Sequence, residues 1–132
     1  MIHSAQEFKR LRESEDLEEQ RISATSEAPL AVWREVLMTF PELKEWVISN
    51  KTIQIEILET LASDPDAKGR SAVARKRKIN DQIFELLRGD PDEQVRHALI
   101  NNTKLSNQMK LKINVEDSEW LKNALQQKVA NK

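Results

Sequence analysis

The sequence predicts an all-α protein, a short solenoid of stacked helical hairpins. Three observations carry this expectation. The stretch Leu61-Ala-Ser-Asp64-Pro65-Asp66 returns as Leu87-Arg-Gly-Asp90-Pro91-Asp92, without a gap, at an offset of 26 residues. A period of about 20–50 residues marks units too small to bury their own apolar faces, which therefore stack on their neighbours. Apolar residues elsewhere recur at the three-and-four spacing of a helix face. Two glycines and four prolines in 132 residues leave too few turn formers for a β-sandwich or barrel.

Taken in order, the first 27 residues are polar and acidic, with seven carboxylates against four cations. Ser4-Ala-Gln-Glu7 has the pattern of a capping box, and opens a short helix carrying Phe8 and Leu11. Ser14 precedes Glu15 and Asp16, acids suited to the positive end of a second helix. Residues 1–28 therefore read as capping helices, or alternatively as a partly frayed arm, ahead of an array over 29–132 in one domain. Pro29 reads as a first-turn proline, where a missing amide costs nothing. Leu30, Val32, Trp33, Val36, Leu37 and Phe40 follow as one apolar face. Pro41 ends that helix and starts another, with Leu43, Trp46 and Val47 facing inward.

From there the 26-residue register can be followed site by site. One apolar site runs Leu43, Gly69, Val95, Leu121, and a basic site beside it runs Lys44, Arg70, Arg96, Lys122. Trp46, Ala72, Ala98 and Ala124 form a third series, and Val47, Val73, Leu99 and Leu125 a fourth. Each copy makes one hairpin. Asp64 and Asp90 are expected as helix N-caps, with Pro65 and Pro91 at the first helical position.

Composition bounds the function. The chain has no cysteine, so neither a disulfide framework nor a thiolate metal site is expected, and His3 and His97 stand far apart. Apolar runs fall short of the ~18–20 residues of a spanning helix, and the N-terminus lacks a signal-peptide pattern. The expected location is the cytoplasm, away from membranes. Net charge is −1, so charge as a whole identifies no partner.

The fifteen residues from Leu61 to Arg75 resemble the leucine-rich-repeat-variant form of bacterial HEAT-like repeats, with its Leu-Ala-x-Asp-Pro-Asp-x-x-Val-Arg-x-x-Val-Ala outline. The copy from Leu87 matches as well, and the one from Ile113 matches only at apolar and basic sites. The resemblance covers about Leu43 to Leu125 and implies a right-handed superhelix that binds other molecules. The N-terminal half is also similar to small stand-alone bacterial proteins of this class. Those include immunity partners of secreted toxins, so a toxin is one partner the resemblance implies.

Candidate sites follow from charge. Lys68, Arg70, Arg75, Lys76, Arg77 and Lys78 form a basic cluster with no acid between Ala67 and Asn80. It reads either as an anion-binding patch or as a solvated interhelical loop. Arg70 and Arg96 either line a binding ridge or pair with an aspartate of an adjacent helix. Trp33 and Trp46 read as core residues. His97 is expected at the surface or in a groove, and Trp120 partly exposed as a packing cap or interface anchor. No carboxylate pair is arranged for acid–base catalysis, and no cofactor is called for. The expected function is therefore a non-enzymatic, protein-binding scaffold. Nucleic-acid binding through residues 75–78 is the alternative, without aromatic residues in the cluster for base stacking.

Overall fold

The computed structural model describes residues 1–130, all in helices, turns and loops, with no strand among them. The chain falls into two compact units, Met1–Leu58 and Glu59–Lys132.

The first unit holds α1 (Ala5–Glu13), α2 (Leu17–Thr25), α3 (Leu30–Thr39) and α4 (Lys44–Ser49), with a 3-10 turn over Pro41–Leu43. It also holds the start of α5 (Ile55–Leu61). The Ser4 hydroxyl caps α1 by accepting the Glu7 amide at 3.0 Å, and the Glu7 carboxylate accepts the His3 amide at 2.6 Å. The capping box thus closes one residue earlier than its sequence pattern. Helix α2 is capped by Asp16 rather than Ser14, whose hydroxyl instead accepts the Asp16 amide. Pro29 sits just ahead of α3, at its cap position. The residues before α1 and the three helices pack together, burying Ile2, Ala5, Phe8, Leu11, Trp33 and Val36. The Phe8 ring meets Trp33 edge-on, with centroids 5.2 Å apart, a favourable quadrupole geometry.

Trp46 departs from its expected place in the core. It is 47% exposed, and the Arg12 guanidinium lies 3.9 Å from its ring centroid. The alanines sharing its register site explain the exposure. Ala72 and Ala98 are 8% and 7% exposed and Ala124 is half-buried, so the site lies at the margin of the core. A cation over the outer ring face gives it a polar neighbour instead.

The second unit contains α6 (Ala67–Ala74), α7 (Asp81–Leu87), α8 (Glu93–Ile100), α9 (Asn107–Lys110) and α10 (Glu119–Ala130). Helix α6 packs on α8, and α8 on α10. Val73, Val95, Leu99, Leu121 and Leu125 are buried between them. The helix starts correct the sequence expectation. The caps are Asp66 and Asp92, which accept the amides of Lys68 and Gln94. Asp64 and Asp90 stand one step earlier and accept the amides of Asp66 and Asp92, at 3.0 and 2.9 Å. Each Asp-Pro-Asp is thus an aspartate turn feeding a cap, with its proline inside the turn. No helix of the described residues is long and apolar enough to cross a membrane.

Candidate functional site

Arg70 and Arg96 are committed to the fold. Arg70 donates through Nε and Nη2 to the Asp90 carboxylate at 2.8 and 3.2 Å, and through Nη1 to the Asp64 carbonyl at 2.7 Å. Arg96, only 1% exposed, grips Asp117 through both terminal nitrogens at 2.7 and 3.2 Å and reaches the Asn114 carbonyl. Planar forks facing carboxylates at these distances are strong, directional pairs. Arg70 therefore ties α6 to the turn that opens α8, and Arg96 ties α8 to the turn that opens α10.

The Arg96 guanidinium holds the Asp117 carboxyl below its ordinary range. A carboxylate with a lowered folded-state pKa stabilises the fold fully above its unfolded value of about 3.9. That contribution disappears as pH falls through the lowered value. The Asp117→Asn variant should accordingly show a lower urea midpoint than wild type at neutral pH. The difference should shrink on acidification below about pH 4. A gap that stays constant down to strong acid would show that the ion pair contributes nothing to stability.

With those arginines placed, the remaining basic residues sort clearly. Arg75 and Arg77, both exposed, line a groove of about 480 Å³ with Ser71 and, from α8 and its C-cap, Gln94, His97 and Asn101. Neither guanidinium has a hydrogen bond or ion pair to another described residue. No carboxylate of the described residues lines the groove. Lys76 and Lys78 flank Arg77 in sequence but stand outside the groove lining. Burial, and then the charge of Lys78, lowers the pKa of Lys76.

His97 is half-buried on the groove wall, with the Asn101 amide nitrogen 3.3 Å from its Nε2. Its ring lies 4.7 Å from that of Trp120, tilted by 48°. Trp120 is 42% exposed and donates its indole N–H to Glu93. A second depression, shared by His97, Asn101, Ala124, Gln127 and Lys128, continues this surface toward α10. No family model, no curated protein and no solved structure matches the chain. The chemistry of the groove thus has to be read from its own side chains.

Arg75, Arg77 and His97 are brought to one groove, with Trp120 at its edge, although they come from three separate stretches of sequence. The groove also recruits Ser71, Gln94 and Asn101, which the sequence did not single out. Asn101 carried a usable signal, because it stands four residues after His97 and so shares its helix face. The lining offers two guanidinium forks, neutral amide and hydroxyl groups and one imidazole. Such a set is suited to accepting carboxylate or phosphate oxygens.

Proposed function

We propose that the chain is a HEAT-like helical scaffold that binds an acidic segment of a partner protein, in the groove between α6 and α8. Arg75 and Arg77 serve as its charge anchors. The supporting observation is how the arginines are used in the second unit. Arg70, Arg88 and Arg96 each pair with a carboxylate of the same unit, whereas Arg75 and Arg77 have no such pairing and line one groove. Unspent guanidinium forks facing a groove without acids favour an anionic ligand. The HEAT-like reading draws support from the matching aspartate caps of α6 and α8, and from the two arginine–aspartate links at the same register site. The function is binding rather than catalysis. A secreted toxin with an acidic active surface is one partner that would fit.

The four consecutive cations Arg75–Lys78 favour a second reading, in which a phosphate backbone is bound. A protein ligand is preferred because the groove suits a few side chains rather than a duplex. The aromatic ring nearest to it, Trp120, already rests against His97. The test is fluorescence anisotropy at low salt, using an aspartate- and glutamate-rich peptide and, separately, single- and double-stranded oligonucleotides. The peptide should bind, and the Arg75→Ala/Arg77→Ala protein should bind it at least about tenfold more weakly, a difference of about 1.4 kcal/mol. Because both side chains are exposed, the fold should be unchanged by circular dichroism. Oligonucleotide binding lost in the variant, with no peptide binding by wild type, would replace the protein partner with nucleic acid.

A further inference from the structure

Away from the arginine groove, α9 and the turn before it border a pocket of about 640 Å³ near the end of α10. Thr103, Ser106, Asn107, Gln108, Lys110 and Lys128 line it, and no carboxylate among the described residues does. Lys110 is the unusual member. It is 6% exposed, and its ammonium has no hydrogen bond or ion pair to any other described residue. Burial, followed by the like charge of Lys128, lowers the pKa of Lys110 below the ordinary lysine value. Two cations facing one pocket, with no carboxylate among the described residues lining it, leave a local excess of positive charge there.

We infer that this pocket binds a phosphate group, with Lys110 and Lys128 as its two cationic ligands. Two ammonium charges match a phosphate dianion. Lysines act as point charges toward phosphate, whereas a planar carboxylate is better served by a guanidinium fork. The hydroxyls of Thr103 and Ser106 and the amides of Asn107 and Gln108 offer donors for the remaining oxygens. The pocket exceeds the size of a bare phosphate ion, so it has room for a free phosphate or for one carried on a small organic molecule.

Isothermal titration of the full chain with inorganic phosphate, at neutral pH and low ionic strength, tests the assignment. Saturable one-site binding is expected, with sulfate competing and acetate at least about tenfold weaker. Lys110→Met keeps the aliphatic stem and removes the charge, and Lys128→Ala truncates an exposed side chain. Each should weaken phosphate binding about tenfold or more. Lys128→Ala still reports on the site if Lys110→Met fails to fold. Three results would overturn the inference. One is no saturation at tens of millimolar phosphate, and another is acetate binding as tight as phosphate. The third is affinity retained in Lys128→Ala and in folded Lys110→Met but lost in Arg75→Ala/Arg77→Ala, which would place the anion at the other groove.

Discussion

Trp33→Ala is expected to destabilise the first unit by about 3–5 kcal/mol, the range for emptying a large aromatic site in a packed core. The indole is fully buried, and its edge-on contact with Phe8 joins α3 to α1. Truncation would remove the largest fully buried side chain of the protein and leave a cavity that short helices can close only partly. Trp33→Phe supplies the control. The indole Nε1 is buried with no acceptor, so phenylalanine gives up volume but also removes an unsatisfied donor. Its cost should be well below that of alanine. Urea denaturation followed by circular dichroism measures both, while Trp46 and Trp120 remain as fluorescence reporters. A loss for Trp33→Ala under about 1 kcal/mol would show that the indole does not organise this core.

Asn102→Asp should be nearly as damaging in the second unit, with a distinctive pH dependence. The Asn102 amide is buried and donates to the carbonyls of Ala74 and Lys76 at 2.9 and 3.0 Å, while its oxygen accepts the Lys104 amide at 3.0 Å. Removing the side chain in Asn102→Ala strands these groups, at about 2–4 kcal/mol in all. An aspartate is worse at neutral pH, because a buried anion would face two carbonyl oxygens. Its folded-state pKa should therefore be raised above the unfolded value. Its stability should be greatest in acid and fall as pH rises through that raised pKa. Thermal melts from acid to neutral pH would reveal this, since wild type lacks the added group. Equal melting temperatures for Asn102→Asp and wild type at neutral pH would refute the bonding role. Asn50 offers an internal replicate in the first unit. Its amide donates to the Ser23 and Ser26 carbonyls at 2.9 and 3.0 Å, and its oxygen accepts the Thr52 amide at 2.8 Å.

Inside-facing positions were legible from the sequence at two of the register series. Leu43, Gly69, Val95 and Leu121 are all buried, as are Val47, Val73, Leu99 and Leu125. A fixed spacing on short helices leaves few other ways to cover apolar surface. Trp46 broke the pattern because its register site lies at the margin of the core, a property that alanine at the other copies does not reveal. The helix starts shifted by two residues because both aspartates of Asp-Pro-Asp can accept backbone amides. Which of them caps is decided by where the chain leaves the turn. Arg70 and Arg96 could be assigned to the right pair of uses but not to one, since Asp90 and Asp117 become partners only through packing. Lys110 gave no local sign at all. It is the last residue of α9, whereas exposed Lys112 lies just past the end of that helix.

The arginine links and the Asn102 bridge also bear on how the second unit assembles. Arg70 reaches Asp90 across 20 residues, Arg96 reaches Asn114 and Asp117 across 18 and 21, and Asn102 reaches Ala74 across 28. Closing a loop costs free energy only as the logarithm of its length, so these closures differ by roughly 0.4 kcal/mol in chain entropy. None of these links requires a distant part of the chain to be found first. Assembly of this unit can therefore proceed between neighbouring hairpins from more than one starting point.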